Sequence, residues 1–213
     1  MKKRFLLFSV TMLFVLSSLC VYADVQFMGK DTDTGGDWVG VYGANGAILF
    51  GIADEADMKN IVSLEDNGQR YDWANPTDDE RGLISINDPN VRIANCMYNN
   101  PVGLLTLETS LDSYQVALFA FDWDSEVRIE EMVGYQGDTA PDAPDVTVEN
   151  PEFHQGVYYK WAVTGSDPFN IQITFIGGAN WVASGLFVDE VLSSAVQASG
   201  KLASTWGGIR AEN

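Results

Sequence analysis

Two tryptophans with polar neighbours are the residues of this chain best suited to bind a ligand. Trp73 stands in "YDWANPTDDE" directly after Asp72, and Trp181 follows Asn180 in "GGANW". Exposed indole faces stack on sugar rings, while carboxylates and amides bind sugar hydroxyls. We therefore predict a glycan-binding site that uses Trp73, Trp181, Asn180 and Asp72. The tryptophans predicted to pack in the core instead are Trp38, Trp123 and Trp161.

Calcium binding by aspartates is a second candidate chemistry. The stretch "DTDTGGDWVGVYGANG" starts as an oxygen-ligand loop would, with Asp31 and Asp33. It is not an EF-hand loop, because Gly35 stands at the fifth position and Tyr42 replaces the glutamate of the twelfth. A β-sandwich can still collect carboxylates from distant strands around one ion; otherwise these side chains form a solvated acidic surface. The predicted calcium ligands are Asp31, Asp33, Asp122 and Asp124.

Enzyme chemistry has less support in the sequence. The single histidine, His154, excludes a histidine-rich zinc site and is expected on an exposed loop. No GxSxG nucleophile motif occurs. Adjacent carboxylates, Glu130 with Glu131 and those of 78–80, would serve a glycoside hydrolase only if two of them faced each other in one cleft. Cys96, in the apolar stretch "VRIANCMY", is predicted to be a small buried residue. We therefore predict a protein that is not an enzyme.

The chain is strongly acidic, with 12 basic and 30 acidic residues and a net charge of -18. Such a surface repels nucleic acid and anionic lipid. The first residues, "MKKRFLLFSVTMLFVLSSLCVYA", combine a basic start, an apolar run and a small-residue cleavage site after Ala23. We predict a signal peptide over 1–23, no membrane insertion after its removal, and a secreted, extracellular or periplasmic location. Cys20 leaves a lipoprotein as the alternative, although Leu19 before it is larger than a lipoprotein signal prefers.

The elements around these candidates have the periodicity of strands. In "FNIQITF", Phe169, Ile171 and Ile173 alternate with polar residues, as in a half-buried strand. Short stretches of this kind recur between glycine and asparagine turns, which predicts an all-β fold: a single antiparallel β-sandwich of the jelly-roll type. The predicted strands are "WVGVYG", "AILFG", "NIVSL", "VRIANCMY", "LLTLET", "YQVALFAFDW", "VRIEEMVGY", "VYYKWAV", "FNIQITFIG" and "WVASGLFV".

The domain organisation follows from where this pattern starts and stops. One sandwich domain is predicted over 24–191, followed by a flexible C-terminal tail over 192–213. Two polar segments, 75–90 and 137–151, are predicted to be exposed loops. Trp38 and Tyr42 are predicted to share one face of the first core strand, with a hairpin after it.

Several stretches, taken in order, resemble a β-sandwich region of large secreted bacterial proteins. They include "DTDTGGDWVGVYGANG", "YDWANPTDDERGL", "RIANCMY", "YQVALFAFDWDS", "YYKWAVTGS" and "ITFIGGANWVASGLFVD". This region is similar to carbohydrate-binding modules and galactose-binding-like jelly rolls. The resemblance covers roughly residues 27 to 189 and implies a jelly-roll fold with an accessory extracellular role. It supplies no catalytic residues.

Together these observations predict an exported, non-catalytic module that binds a glycan or another extracellular surface. A polysaccharide, a cell-surface glycan or an extracellular protein is the expected partner. No cofactor is required on this reading, and calcium is the one candidate ion. One alternative is a structural or protein-interaction component of the cell envelope or matrix. The other is a glycoside hydrolase or lyase that uses paired carboxylates.

Overall fold

The computed structural model describes residues 24–191. The predicted signal peptide (1–23) and the predicted flexible tail (192–213) lie outside the described residues. Strands dominate the described part, and its single helix, α1 (Glu152–Gln155), is one turn long. No helix among residues 24–191 has the length and apolar character needed to cross a membrane.

Fifteen strands make up the fold. In chain order they are β1 (Asp24–Asp31), β2 (Gly46–Leu49), β3 (Glu55–Asp57), β4 (Ile61–Asp66), β5 (Gln69–Thr77), β6 (Leu83–Ile84), β7 (Arg92–Asn99), β8 (Val102–Thr109), β9 (Ser113–Ala120), β10 (Ile129–Gln136), β11 (Val146–Val148), β12 (Val157–Thr164), β13 (Phe169–Gly177), β14 (Trp181–Ala183) and β15 (Gly185–Glu190).

These strands form three sheets. The six-stranded sheet has the order β1-β12-β9-β15-β2-β3, and the five-stranded sheet has the order β11-β10-β13-β8-β4. The third sheet contains β14, β7 and β5 side by side, with β6 paired to β7. All pairings between these strands are antiparallel. The sheets pack together, which confirms the predicted all-β antiparallel sandwich.

Alternating apolar residues explain why these segments form strands around a core. On β13, Phe169, Ile171 and Ile173 are buried as predicted. They belong to the larger of two core clusters, which also contains Trp161 and Trp181. Close packing extends to the backbone, since a β-carbon at Gly134 would lie 2.6 Å from the indole of Trp161. Burial of such a row drives strand formation more strongly than any single propensity.

The predicted first core strand is wrong in position. Residues 38–43 form a tight turn closed by an isolated bridge between Val39 and Tyr42, and β2 begins only at Gly46. Trp38 and Tyr42 are nevertheless buried, because each finds a polar partner away from a strand ladder. The indole nitrogen of Trp38 donates to the carbonyl of Ile84 at 2.8 Å. The Tyr42 hydroxyl donates to Asp31 Oδ2 at 2.6 Å.

The two segments predicted as loops contain strand residues as well. The segment 75–90 includes the end of β5 and the whole of β6. The segment 137–151 includes β11, which pairs with β10. Most of their charged residues are exposed, but Asp79 and Arg81 are half-buried, and Leu83 and Val148 are buried in the sheets. Polar composition alone therefore overstated their loop character.

Candidate functional site

One cavity of the described structure collects aromatic and charged side chains around a sheet face. It lies over the sheet of β5, β7 and β14 and has a volume of about 330 Å³. Buried Cys96 and Val182 form its floor. Antiparallel register places Tyr71 opposite Cys96 and Tyr98 opposite Val182, so neighbouring strands present these side chains in pairs. We refer to this space as the aromatic cavity.

Three aromatic rings, those of Tyr71, Trp73 and Tyr98, form its wall. Tyr71 is 50% exposed, and its ring centre lies 6.5 Å from that of Trp73 and 6.5 Å from that of Tyr98. The ring planes are steeply inclined, at 75° and 89° respectively. Phe121 packs edge-on behind Trp73 at 5.5 Å. The wall therefore offers partly exposed aromatic surface that is held in place by a strand and by the core behind it.

Arg128 organises the polar rim of the aromatic cavity. Its side chain is only 6% exposed and forms ion pairs with Asp122 and Asp124. Its Nε donates to Oδ1 of Asn180 at 2.9 Å, which ties the loop after β9 to the loop before β14. Its guanidinium carbon lies 5.9 Å from the ring centre of Trp73. These contacts fix the guanidinium in one orientation, because it is held on several sides at once.

The aspartates of this rim differ in their environment. Asp122 is fully buried, and Ser125 donates to it. Burial alone would raise the pKa of Asp122, but the Ser125 hydroxyl and the Arg128 guanidinium lower it below its usual value. Asp124 pairs with the same guanidinium, yet its side chain is 47% exposed. Asp124 is therefore the carboxylate of this pair that a ligand can reach.

Several polar atoms at the rim remain available to a ligand. Within residues 24–191, Arg128 Nη2, Asn180 Nδ2 and Asp124 Oδ2 make no hydrogen bond to the protein, while the neighbouring atoms of the same side chains are engaged. Two of these groups donate hydrogen bonds and one accepts them. A sugar hydroxyl can do both, so this combination suits a hydroxyl-bearing ring.

A buried carboxyl group lies beneath the floor. Glu130, on β10, is fully buried, and its Oε2 accepts a hydrogen bond from the backbone nitrogen of Val182 at 2.8 Å. Its Oε1 has no partner in the described part of the chain. Burial raises the pKa of Glu130 to about 8, so this group is mainly protonated at neutral pH. Burial likewise raises the pKa of the Cys96 thiol, which suits a packing residue and not a nucleophile.

The predicted ligand-binding residues separate into two groups. Trp73 and Asn180 both line the aromatic cavity. Trp181 is fully buried in the core and offers no exposed face, so its predicted stacking role is wrong. Asp72 follows Tyr71 on β5 and does not line the cavity; its Oδ1 accepts from the backbone nitrogen of Ile52 at 2.8 Å.

Sequence reasoning missed Tyr71, Tyr98 and Arg128. A signal for Tyr71 was present, because it precedes Trp73 by two residues and a strand places both side chains on one face. Tyr98 required the pairing of β5 with β7 to be known. Arg128 lies 52 residues before Asn180, so only the folded chain brings them together.

The four aspartates predicted to bind calcium do not come together. Asp31 accepts hydrogen bonds from the Tyr42 hydroxyl, the Thr34 hydroxyl and the backbone nitrogen of Asp33. Burial opposes ionisation of Asp31, but these donors lower its pKa to about 2. Asp122 and Asp124 are bound by Arg128 instead. Over residues 24–191, no three acidic, histidine or cysteine side chains are grouped as metal ligands. Calcium binding stays a prediction.

The other residues considered for catalysis do not line the aromatic cavity. Glu130 and Glu131 are consecutive residues of β10, and only Glu130 is fully buried. Asp79 forms an ion pair with Arg81. His154 lies in α1 and is partly buried, not an exposed loop residue. Its Nδ1 lies 2.8 Å from the carbonyl oxygen of Asp122, and its Nε2 lies 3.1 Å from Arg81 Nη1. His154 therefore helps to hold the loop that carries the rim aspartates.

A second cavity, of about 540 Å³, lies on the outer face of the five-stranded sheet. Its lining contains one aromatic ring, Tyr135, and two carboxylates, Asp138 and Asp167. The Asn170 side chain in this lining is already hydrogen-bonded, because its Oδ1 accepts from the Thr106 hydroxyl at 2.8 Å. The second cavity is larger but has less aromatic surface than the aromatic cavity, so the latter is the better candidate for stacking on a sugar ring.

Comparison with known proteins identified no relative of this chain. No family model, no curated protein and no solved structure matches the chain. The resemblance to carbohydrate-binding and galactose-binding-like modules therefore stays a prediction.

Proposed function

We propose that this protein is an exported, non-catalytic module that binds a glycan in the aromatic cavity. One observation carries the proposal: three aromatic rings and an Arg-Asp-Asn rim surround a single cavity of about 330 Å³. The volume lies near the lower limit of small-ligand sites, which suits one or two sugar rings better than a large ligand.

Stacking and hydrogen bonding would share the recognition. The C–H face of a sugar ring would lie on the partly exposed rings of Tyr71 and Trp73. Its hydroxyls would donate to Asp124 and accept from Arg128 and Asn180, the groups with unused polar atoms. Because β5 and β7 hold the aromatic side chains, little ordering entropy would be lost on binding.

The lining of the aromatic cavity favours binding over hydrolysis. Glycoside hydrolysis needs two carboxyl groups that flank the scissile bond. In the part of the chain that the structure describes, Asp124 is the single carboxylate of the cavity lining, and Asp122 behind it is buried against Arg128. We therefore infer a binding role without catalysis.

A glycan array tests the proposal directly. The full chain, expressed with its own leader, is applied to a broad glycan and polysaccharide array with calcium and again with chelator. We expect at least one glycan to bind, and Trp73→Ala and Tyr71→Ala each to weaken that binding about tenfold or more, which corresponds to about 1.4 kcal/mol. Loss of binding in chelator would place calcium in the binding reaction.

Tyr135→Ala is the matched control, because Tyr135 is a partly buried aromatic residue of the second cavity. This variant should bind as the unchanged protein does. If no glycan binds, or if both cavity variants bind normally, the proposal fails and a structural or protein-binding role in the cell envelope takes its place.

A further inference from the structure

The charges around the aromatic cavity determine which glycans it can accept, provided that the proposed glycan binding is correct. Among residues 24–191, Arg128 is the one cationic side chain that lines the cavity. It is paired with two carboxylates, those of Asp122 and Asp124. The three side chains together therefore carry one net negative charge, and Asp124 holds the exposed part of it.

The hydrogen bonds of Arg128 leave little of it for an anionic ligand. Its Nη1 donates to both aspartates and to Ser125, and its Nε donates to Asn180. Strong recognition of a carboxylate uses two parallel N–H donors of the guanidinium fork. Only Nη2 is unused among the described contacts, so this bidentate arrangement is not available.

A carboxylate or sulfate on the ligand would also meet Asp124 directly. Two like charges a few ångströms apart at a partly exposed site repel strongly enough to weaken binding about tenfold or more. The net charge of -18 on the chain adds a long-range barrier to anionic ligands. An uncharged ring avoids both penalties and can still use the donors and the acceptor of the rim.

We propose that the aromatic cavity selects uncharged saccharides and rejects those bearing carboxylate or sulfate groups. Asp124 is the residue responsible for the rejection, because its carboxylate lines the cavity and is half exposed, while Asp122 is fully buried. The selectivity arises from a guanidinium that is already neutralised inside the protein before any ligand arrives.

The test compares matched sugars on the full chain. Oligosaccharides of glucose, galactose and mannose are each measured beside the same oligosaccharide oxidised at C6 to the carboxylate. We expect the neutral member of any binding pair to bind about tenfold tighter or better at low salt. The difference should shrink at about 1 M salt, where the screening length falls to about 3 Å.

Asp124→Asn separates the role of this carboxylate from the general charge of the protein. It should narrow the difference between neutral and oxidised sugars about tenfold, whereas Asp138→Asn should leave it unchanged. Asp138 makes a suitable control because it is exposed and lines the second cavity. Far-ultraviolet circular dichroism of each variant verifies that the fold is retained, and the salt series on the unchanged protein does not depend on any variant.

The outcomes distinguish this inference from the proposed function. If oxidised sugars bind as well as neutral ones or better, the selectivity is overturned while glycan binding stands. If Asp124→Asn leaves the difference intact, the assignment to Asp124 is overturned. If the oligosaccharides and the array all fail to bind, the proposed function fails and this inference fails with it.

Discussion

Trp73 and Trp181 lie on the two strands that flank β7, yet they occupy opposite environments. Trp73 on β5 is partly exposed and lines the aromatic cavity. Trp181 on β14 is fully buried in the larger core cluster. A β-carbon at Gly103 would lie 2.3 Å from the ring of Trp181, so that glycine leaves the room which the indole fills.

This difference shows that a tryptophan beside a polar residue is not thereby a surface residue. Asn180 and Trp181 are adjacent, but Asn180 ends the loop before β14 and its amide lines the cavity, whereas Trp181 begins β14 and its indole is buried in the core. Whether the indole is buried depends on the residue that it packs against, here Gly103, which lies far from Trp181 in the sequence. Exposure is therefore a property of the packed sheets and not of the local stretch.

Replacement of the buried tryptophan should have the largest effect on stability. We expect Trp181→Ala to lower the free energy of unfolding by about 3–5 kcal/mol, because it leaves a large cavity in the core. Trp73→Ala should cost clearly less, since that side chain is already partly exposed. Urea denaturation of both variants measures the difference. Equal losses for the two would contradict the contrast drawn between them.

The buried carboxyl of Glu130 should make stability fall as the solution becomes alkaline. Its folded-state pKa of about 8 lies above its ordinary value of 4.5, so its contribution to stability is complete below about pH 4.5 and is lost as pH rises through 8. At pH 9 we expect the free energy of unfolding of Glu130→Gln to exceed that of the unchanged protein by about 2–4 kcal/mol. Urea denaturation at several pH values from 5 to 9 measures how the free energy of unfolding changes with pH in both proteins.

Glu131→Gln is the matched control for that experiment, because Glu131 is the next residue of β10 and is not fully buried. Its stability should follow the pH dependence of the unchanged protein. An unaltered slope in Glu130→Gln would show that Glu130 does not titrate in this range.

A smaller effect is expected from filling the space beneath Trp181. Gly103→Ala should lower the free energy of unfolding by about 1–3 kcal/mol, since the added methyl group must displace the indole. Gly177→Ala serves as the control, because a β-carbon there would make only ordinary contacts of 3.6 Å with Ile129. Thermal denaturation compares the two, and equal stability would mean that Trp181 does not depend on Gly103 for its room.

The sequence predicted the elements with regular alternation better than those without it. Phe169, Ile171 and Ile173 were placed correctly because each buried residue is followed by a polar one. The strand β1 was missed, since it has few large apolar side chains and a bulge after Phe27 interrupts its register. Trp38 was assigned to a strand although it is fixed by a hydrogen bond to Ile84, a contact that no local pattern reveals.

Two of the four residues predicted to bind a ligand line the aromatic cavity, and two do not. Trp73 and Asn180 were chosen because their residue types suit sugar binding, which stays a prediction. Arg128 could not be, because its meeting with Asn180 depends on the order and register of several strands. The same reason explains Asp124, which was predicted as a metal ligand and instead pairs with Arg128.

The order of the six-stranded sheet also bears on how the chain reaches its fold. β15 is the last described strand, and it lies between β9 and β2, so β2 and β3 join the rest of this sheet through it. β1 likewise pairs with β12, which is more than a hundred residues later in the chain. Sheets built from such distant segments fold slowly, on a scale of milliseconds to seconds. The six-stranded sheet is therefore complete only when β15 takes its place between β9 and β2, so the earlier strands cannot assemble this sheet without it.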